Sequence, residues 1–498
     1  MAATPFSVHA IILEQAERTS GSSKADIQRF IQESESRITV LELQITSLIE
    51  RRDRERTTVA ALRHLIAPIH TLPIELLAEI FNLTIRDDSH IKDTFLISHI
   101  CSDWRRVAHS TPRLWTGRIR VNLECRDSEK VYADGLKAWL ARSAPLPVSV
   151  SLTFRHWDKG RPVSSPISEE VLRVASRWRF LKLKMSHGIV PASLVRRIAE
   201  CRLDELEELD LGEIEQDIPI SDPTTLSFHT APRLRKLRMT LDSGSLQVFV
   251  PWAQLTDLTL HCHPPDIVFD ILAQCINIVN ASFVTSGWFE VPHGNPDILA
   301  LPHLHALSLK LYGRSGRFIP FLDRLSAPAL KKLSLDFGET FTDDSEWIQA
   351  NFTAFQLRSP DITQLNMSYS TLTSDDLRTV FRHASCLTHL KLVGCERCFD
   401  DDCIAALRYT DGTESLVPRL HHFVFDKTYA MAFTEHILVG MIASRWRTDA
   451  QVAAHLVPDV VARWTHVELR GNYKRKFKNM VEDLQRQGLP IQLRPGGG

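Results

Sequence analysis

The sequence of 498 residues has no apolar run that approaches the roughly 18 residues of a membrane-spanning helix. The longest candidate, residues 430–446, is interrupted by Thr434, Glu435, His436 and Ser444. Charge of one sign is not in excess, since 59 Lys and Arg residues balance 60 Asp and Glu residues. Without a basic excess, a non-specific grip on nucleic acid is not expected. The sequence therefore predicts a protein that neither spans a membrane nor binds nucleic acid.

Cysteine is sparse, with nine residues scattered along the chain, and an odd number cannot all pair in disulfides. The N-terminal sequence lacks the basic and then apolar layout of a signal peptide, because the apolar stretch at residues 9–13 is too short. Both features predict an intracellular protein with reduced thiols, located in the cytoplasm, the nucleus or both.

Motifs for catalysis and for cofactor binding are also missing from the sequence. It has no Gly-x-Ser-x-Gly, no His-Glu-x-x-His, no Walker loop and no dinucleotide-binding fingerprint. We therefore expect a non-catalytic protein with no catalytic residue, no cofactor and no metal.

A heptad pattern fills residues 24–69, which are predicted to form a helix, whereas residues 1–23 are predicted to be disordered or loosely ordered. The steps of three and four residues join Ile31, Ile38, Leu41, Ile45, Leu48, Val59, Leu62, Ile66 and Ile69. Arg52 and Glu55 interrupt this seam with charge. Two interpretations stay open: a coiled coil that forms a homodimer through residues 31–69, or a single solvated helix.

From about residue 146 onward a phrase Leu-x-x-Leu-x-Leu recurs every 21 to 33 residues. Its copies lie at residues 206–211, 234–239, 255–260, 304–309, 330–335, 362–367, 387–392 and 420–425, with degenerate versions at 178–183 and 278–283. This period is close to that of a leucine-rich repeat, in which a strand precedes a returning helix or turn. Residues 266–274 and 374–382 have the helical spacing expected of such returns.

Residues 121–493 are therefore predicted to form an irregular leucine-rich-repeat solenoid, with a flexible tail at 494–498. A strand at 467–469, a helix near 474–487 and a strand at 491–493 are predicted to close its end as a cap. The fold class expected for the whole chain is α/β.

Between the heptad seam and the repeats, residues 70–120 contain three ordered pieces at 72–81, 97–108 and 110–115. Pro73 suits the first position of a helix, and Glu75 lies near the positive end of its dipole. Apolar residues occupy more of the helix circumference than this short segment can bury by itself. This pattern predicts contact with a neighbouring domain or another protein.

The three pieces resemble the F-box, whose pattern is Leu-Pro-x-Glu, an Ile-Phe pair, Val-Cys-x-x-Trp-Arg and a closing Leu-Trp. Ile100 stands where Val is usual, and the polar insert at residues 86–93 is longer than the family link. The complete layout, with a preceding helical segment, a small all-α F-box and irregular repeats, resembles the F-box families of mushroom-forming fungi. The residues that this resemblance implies for adaptor binding are Leu72, Pro73, Glu75, Leu76, Ile80, Phe81, Ile97, Ile100, Cys101, Trp104, Leu114 and Trp115.

The resemblance implies a substrate receptor of an SCF-type ubiquitin ligase. Such a receptor binds a Skp-type adaptor, and through it a cullin-RING scaffold, while its repeats hold a protein target for ubiquitination. The alternative is an interaction scaffold without a ligase role, which uses the heptad helix for self-association.

The target is expected on the sheet of stacked strands, where side chains that alternate away from the core line one face. The residues predicted for this face are Lys236, Arg238, Asp257, Lys332, Asn366, His389 and Lys391. Their mixed charges favour a folded or mixed-charge protein target, whose identity the sequence leaves open. Loops at residues 287–302 and 341–360 are expected to add contacts.

Two clusters suggest other chemistry. Cys395, Cys398 and Cys403, with His389 upstream, have spacing compatible with zinc, but Cys395 also occupies the position where the repeat consensus places a buried Cys. A basic run with interleaved aromatics at residues 470–478 is compatible with nucleic-acid binding, but such a run is more typical of a solvated helix face.

Overall fold

A computed structural model gives the fold of the protein. It describes residues 8–19, 21, 23–87, 89–122, 129–154, 166–185, 189–214, 225–241, 247–262, 265–286, 298–311, 319–338, 349–370, 372–395, 397–410, 415–427, 433–446 and 461–495. The chain divides after Leu83 into two compact units. This division falls inside the segment that resembles an F-box, residues 70–120.

The first unit is helical. Its elements are α1 (Val8–Thr19), α2 (Lys24–Leu65), a 3₁₀ turn (Pro68–Thr71) and α3 (Ile74–Thr84), whose last residue follows the division. Helix α1 lies where the sequence predicted no regular structure. The three consecutive apolar residues 11–13 give no clear helical period, but an ion pair of 2.7 Å between Glu14 and Arg18 has the i,i+4 spacing that supports a helix.

Helix α2 confirms the helix predicted from residue 24, but it ends at Leu65 rather than at residue 69. Pro68 has no backbone N–H, and it begins the 3₁₀ turn instead of continuing the helix. The apolar side chains of the heptad seam that the structure describes on α2 are exposed: Ile31, Ile38, Leu41, Ile45, Leu48, Val59 and Leu62. Where charged residues interrupt the seam, the side chains of Arg52 and Asp53 form an ion pair of 2.8 Å within the helix.

The second unit has a long parallel sheet. In the described residues its strands are β1 (Ile119–Asn122), β2 (Val148–Phe154), β3 (Trp178–Met185), β4 (Glu208–Glu213), β6 (Lys236–Leu241), β8 (Asp257–Cys262), β9 (Asn280–Thr285), β11 (Ala306–Leu311), β13 (Lys332–Asp336), β14 (Gln364–Ser368), β15 (His389–Val393), β16 (His422–Asp426), β17 (His466–Arg470) and β18 (Ile491–Arg494). The fourteen strands lie in the order of the sequence. Two short parallel pairs, β5 (Thr225–Ser227) with β7 (Gln247–Phe249) and β10 (Leu299–Ala300) with β12 (Leu325–Ser326), lie outside this sheet.

Helices connect many of these strands. The described ones are α4 (His90–Ile100), α5 (Ser102–Ser110), α6 (Glu129–Arg142), α7 (Pro166–Leu172), α8 (Ala192–Ala199), α9 (Pro265–Gln274), α10 (Ile319–Asp323), α11 (Gln349–Arg358), α12 (Ser374–Arg382), α13 (Asp401–Leu407), α14 (Glu435–Ser444) and α15 (Arg475–Arg486). A parallel strand can follow its neighbour only after a return connection, and these helices supply many of the returns. The expected α/β class is confirmed.

All ten Leu-x-x-Leu-x-Leu phrases contribute a strand to the long sheet, as the sequence predicted. Their leucines are buried, as Leu206, Leu209 and Leu211 illustrate, because alternate side chains of a strand point to the same face. The helices predicted at 266–274 and 374–382 are present as α9 and α12. The closing order of strand, helix and strand is present as β17, α15 and β18.

Side chains fix where the return helices begin and end. Thr373 and Asp376 form a capping box at the start of α12, in which each side chain accepts the other residue's backbone N–H. Arg445, after α14, is buried and donates hydrogen bonds to the carbonyl oxygens of Leu407 (3.0 Å) and Leu416 (2.6 Å). Burial lowers the pKa of this guanidinium to about 10, so it remains protonated near pH 7. Arg445 therefore links the end of α14 to the end of α13 and to Leu416.

No helix in the ranges that the structure describes is both long enough and apolar enough to cross a membrane.

Candidate functional site

Helix α3 of the first unit has two distinct apolar faces. Leu77 and Phe81 are buried, whereas Leu76, Ile80 and Leu83 are 54%, 39% and 76% exposed. The exposed three are spaced by four and three residues, so they form one stripe on the helix, which we call the α3 stripe. Three large aliphatic side chains in one exposed stripe are typical of a surface that another protein covers.

The residues before the α3 stripe set the start of the helix. Pro73 immediately precedes α3, and Glu75 lies in its first turn. Both side chains are exposed, whereas Leu72 is half-buried. The sequence prediction that the helix begins at Pro73 is therefore confirmed to within one residue.

In the second unit, helices α4 and α5 have a second apolar patch. Leu96 and Ile100 of α4 are 66% and 52% exposed and lie four residues apart. Trp104, in the first turn of α5, is half-buried, and its backbone N–H donates to the sulfur of Cys101 at 3.5 Å. The guanidinium of Arg105 donates to the carbonyl oxygen of Ser98 at 3.0 Å and fixes α5 to α4. We call Leu96, Ile100 and Trp104 the α4–α5 patch.

The closing Leu114 and Trp115 lie in the interior of the second unit. Both are fully buried in a 3₁₀ turn that follows α5. The Trp115 ring packs edge-on against Trp139 of α6, with centroids 4.8 Å apart, and the Arg142 guanidinium lies 4.7 Å from its centroid. These two residues therefore join the segment that resembles an F-box to the next helix, rather than lining a surface.

Of the twelve residues implied for adaptor binding, the structure brings eight to the surface at least in part. They are Leu72, Pro73, Glu75, Leu76, Ile80, Ile100, Cys101 and Trp104. The other four, Phe81, Ile97, Leu114 and Trp115, are buried, so their role is to hold the helices in shape. The sequence pattern already places Leu83 on one stripe with Leu76 and Ile80, but neither Leu83 nor Leu96 is among the residues implied for adaptor binding. Both are exposed, and Leu96 lies one helical turn before Ile100.

The predicted target residues lie on one face of the long sheet. The strand register aligns the outward-facing residues of this face in three rows. The rows run across β6, β8, β9, β11, β13, β14 and β15. The first row is Lys236, Asp257, Asn280, Ala306, Lys332, Gln364 and His389. The second row is Arg238, Thr259, Ser282, Ser308, Ser334, Asn366 and Lys391. The third row is Thr240, His261, Val284, Lys310, Asp336, Ser368 and Val393. All seven predicted residues belong to the first two rows.

Two shallow grooves occupy this face. One, of about 300 Å³, includes the small residues Ser282, Ala306 and Ser308 in its lining. The other, of about 320 Å³, lies nearer the N-terminal end of the sheet and is lined by Lys182, Asp210 and other charged residues. Lys182 and Asp210 form an ion pair of 2.7 Å. The two grooves are of similar size, and charged residues line both, Asp257 and Lys332 in the first and Lys182 and Asp210 in the second.

A row of stacked histidines extends the first row towards the C-terminal end. The ring of His422 lies 4.8 Å from that of His389 and 4.5 Å from that of His466, and both contacts are stacked. Burial and the neighbouring His466, His389 and His421 lower the pKa of His422 to about 4. His422 is therefore neutral at pH 7. Of the three stacked histidines, the sequence pattern pointed only to His389, because the stacking depends on the register of neighbouring strands.

Carboxylates near this end are held by cations. Glu468 of β17 accepts from Arg470 and from Arg494, each at 3.0 Å. Burial opposes ionisation of Glu468, but the hydrogen bond and the charge of Arg470, with the charge of Arg494, keep its pKa below the ordinary value. Asp426 lies 3.6 Å from Arg470. These charges are satisfied within the protein.

The cysteines considered for zinc are buried. The thiol of Cys395 donates to the carbonyl oxygen of Met367 at 3.5 Å, and that of Cys398 donates to the carbonyl oxygen of Cys395 at 3.4 Å. Burial raises the pKa of Cys403 to about 12, so this thiol is protonated at neutral pH. Among the described residues, no group of three or more His, Cys, Asp or Glu side chains is arranged to hold a metal ion.

The two loops expected to add target contacts are described only in part. Residues 287–297 of the first loop, and residues 341–348 of the second, lie outside the described residues. The described part of the second contains the whole of α11, so a helix lies where a loop was expected.

Comparison with known proteins adds little. No protein-family model matches the chain, and no curated protein matches its sequence. A crystal structure of a protein from Bacteroides fragilis is similar over 75% of this chain and 73% of that chain, with 10% identity and a TM-score of 0.23. At this TM-score the likeness carries no argument.

Proposed function

We propose that the protein is an F-box protein, a non-catalytic substrate receptor of an SCF-type ubiquitin ligase. In this proposal a Skp-type adaptor binds the F-box segment and connects it to a cullin-RING scaffold. The strand face of the long sheet binds a protein target. The receptor contributes proximity, because it raises the local concentration of target lysines near the ubiquitin-loaded enzyme.

The observation that carries the proposal is the exposed α3 stripe, which directly follows the Leu-Pro-x-Glu sequence. Exposed aliphatic side chains contribute to binding when a partner removes them from water, at roughly 25 cal/mol per Å² of buried apolar area. An amphipathic helix that lays such a stripe into a hydrophobic groove is a common mode of protein recognition. The α3 stripe has the residue types and the spacing that this mode requires.

The α4–α5 patch supports the same proposal from the second unit. It has two exposed aliphatic residues and a half-buried tryptophan, the residue type most enriched among side chains that dominate binding energy. Its sequence, Ile-Cys-x-x-Trp-Arg at residues 100–105, is the piece of the F-box pattern with a large aromatic residue. We propose this patch as an adaptor contact within the second unit.

The long sheet supports the receptor role. Parallel strands in the order of the sequence, many of them preceded by a buried leucine and many followed by a return helix, are the arrangement expected of stacked leucine-rich repeats. We propose that this part is an irregular leucine-rich-repeat domain. Its target would bind to the first and second rows, which present side chains from seven adjacent strands.

Co-purification with a Skp-type adaptor tests the proposal. Replacing Leu76, Ile80 and Leu83 together by Ala should reduce adaptor capture by about 100-fold, because each truncation removes roughly 1 kcal/mol of apolar burial in the complex. A second variant with Leu96, Ile100 and Trp104 replaced by Ala should show a comparable loss.

The matched control for both variants is Leu357→Ala in α11. Leu357 is 68% exposed, so this change also removes an exposed leucine, but outside the proposed adaptor surface. The control should capture adaptor as well as the wild-type chain does. Unchanged capture by both triple variants, with wild-type melting temperatures, contradicts the proposal.

A second candidate is an interaction scaffold without a ligase role. The observation that favours it is the heptad seam of α2, whose apolar side chains are exposed over most of the 42-residue helix. Paired seams of this kind form coiled coils. A chain that self-associates through α2 and captures no adaptor would favour this candidate over the receptor.

A further inference from the structure

The three rows of the strand face carry more cationic than anionic side chains once each position is assigned. Their cations are Lys236, Arg238, Lys310, Lys332 and Lys391, and their carboxylates are Asp257 and Asp336. The excess holds over β6 to β15. On the adjoining β4, Glu208 and Asp210 lie in register with Lys236 and Arg238. Asp210 is neutralised by its ion pair of 2.7 Å with Lys182, and Glu208 gives this end of the face the mixed charge that the sequence predicted.

Contacts within the face leave this excess of cations unchanged. Lys310 and Asp336 form an ion pair of 3.0 Å, so this cation and this carboxylate neutralise each other. Asp257 accepts hydrogen bonds from the amide of Asn280 and from the hydroxyl of Thr256, each at 2.8 Å. Both of these donors are uncharged. Within the described part of the chain, the side chains of Lys236, Arg238, Lys332 and Lys391 form no ion pair; we call these four the free cations.

The free cations are separated along the face. Lys236 and Arg238 lie on β6, Lys332 on β13 and Lys391 on β15. With neighbouring strands about 4.8 Å apart, four strand steps place Lys332 about 19 Å from the first two, and two further steps place Lys391 about 10 Å beyond. A binding partner must therefore bring anionic groups to three places across these strands.

Small polar side chains occupy the second row between these places. Thr259, Ser282, Ser308 and Ser334 are half-buried on adjacent strands. In the described residues none of their hydroxyls has a hydrogen-bond partner. Because these side chains are short, a bound chain can approach the sheet closely, and each hydroxyl can donate to a carbonyl or accept from an N–H.

An extended segment fits this row better than a helix does. The backbone of an extended chain has free N–H and C=O groups, whereas a helix uses its own internally. An extended chain advances about 3.3 Å per residue, so about six residues span the step from β6 to β13 and about three span the step to β15. Single, spaced cations also suit single carboxylates, whereas a phosphate is commonly bound by a cluster of arginines.

We propose that the strand face binds an extended acidic segment of a protein, which runs across the strands with carboxylates opposite the free cations. This inference rests on the proposed function in one respect, namely that the segment belongs to the target of the receptor. Its central acidic residue lies opposite Lys332, and its backbone contacts the hydroxyls of the second row.

A labelled synthetic peptide of about 12 residues, with two Glu at its start and single Glu about six and about nine residues later, is the probe. Fluorescence anisotropy should show saturable binding to the full chain that weakens with added salt. Lys332→Glu should weaken binding by about tenfold, and Lys332→Gln by less, because it removes charge without adding repulsion.

Two controls match this design. Lys478→Glu reverses an exposed cation on α15, outside the three rows, and should bind the peptide as the wild-type chain does. A peptide of identical composition with its glutamates clustered at one end should bind more weakly than the spaced peptide. Equal binding of the two peptides, unchanged binding by Lys332→Glu, or tighter binding of single-stranded DNA of similar length would each overturn the inference.

The same variants separate this inference from the proposed function. Lys332→Glu leaves the α3 stripe and the α4–α5 patch unchanged, so its adaptor capture should equal that of the wild-type chain. Peptide binding without adaptor capture would refute the ligase role and retain the acidic-segment site. Adaptor capture without peptide binding would refute the acidic-segment site alone.

Discussion

The indole nitrogen of Trp115 donates a hydrogen bond of 2.7 Å to the carbonyl oxygen of Ala108. This bond ties the closing Leu-Trp of the segment that resembles an F-box back to α5. Trp115 is fully buried, whereas Trp104 in the same segment is half-buried. The two tryptophans therefore have different roles: Trp115 holds the helices together, and Trp104 contributes to a surface.

Replacing Trp115 by Ala should lower the stability of the second unit by about 3–5 kcal/mol, the usual cost of removing a buried large aromatic side chain. Trp104→Ala should cost about 1 kcal/mol or less, since its side chain is only partly removed from water. Urea denaturation followed by far-ultraviolet circular dichroism measures both changes. Equal midpoints for the two variants would contradict this division of roles.

The exposed seam of α2 should make the chain self-associate. Aliphatic side chains at heptad spacing gain free energy when a second seam covers them. Multi-angle light scattering should give twice the mass of one chain, and Leu41→Lys with Leu48→Lys should return it to the mass of one chain. Ser47→Lys adds one lysine to α2 outside the seam and should leave the dimer intact, whereas Leu48→Lys alone should already weaken it. A wild-type mass of one chain at every concentration would exclude this dimer.

The stacked histidines should make stability depend on pH. In the unfolded chain His422 has its ordinary pKa near 6.5, whereas burial and the charges of His466, His389 and His421 lower its folded pKa to about 4. Between these values the unfolded state binds the proton and the folded state does not, so stability is lost as pH falls from about 6.5 to about 4. Because solvent partly screens His422, we expect a loss on the order of 1 kcal/mol from this residue.

Denaturation midpoints at several pH values test this dependence. His422→Asn should reduce the loss of stability between neutral and acidic pH, because the substitute does not titrate. His303→Asn, at an exposed histidine outside the stack, serves as the control and should leave the loss unchanged. An identical pH profile for His422→Asn and the wild-type chain would show that the stack does not contribute.

The cluster at Cys395, Cys398 and Cys403 should not depend on metal. The thiols of Cys395 and Cys398 donate to carbonyl oxygens, and burial holds the Cys403 thiol in its protonated form, whereas a zinc ligand must be a thiolate. Melting of the purified chain should therefore be the same with and without a strong chelator. A melting temperature that falls on chelation and recovers with zinc would contradict this assignment.

The strands could be predicted from the sequence because their signal is local. Each Leu-x-x-Leu-x-Leu phrase specifies both a strand and its buried face, and every predicted copy has a strand of the long sheet. Strand β1 was missed because apolar and polar residues alternate over only four residues in Ile119–Asn122, and because this strand lies where the F-box pattern ends. Helix α1 was missed for the related reason that a run of adjacent apolar residues does not define a face.

The candidate surfaces could be predicted only in part. Spacing along α3 identifies two apolar faces, but only the fold determines which face is covered, and it buries Phe81 while exposing Leu83. In the same way, the sequence places Lys310 and Asp336 on the strand face but does not reveal the ion pair between them. Contacts of this kind join residues that are distant in sequence, so a local pattern carries no sign of them.

Titration calorimetry of the full chain with a purified Skp-type adaptor tests the central claim most directly. The account predicts saturable binding with one adaptor per chain, a dissociation constant of about 1 μM or tighter, and a negative heat-capacity change from burial of apolar side chains. Replacing Leu76, Ile80 and Leu83 by Ala should remove most of the affinity and reduce the heat-capacity change. No saturable heat with about 100 μM adaptor, from a wild-type chain with an intact melting transition, would contradict the account.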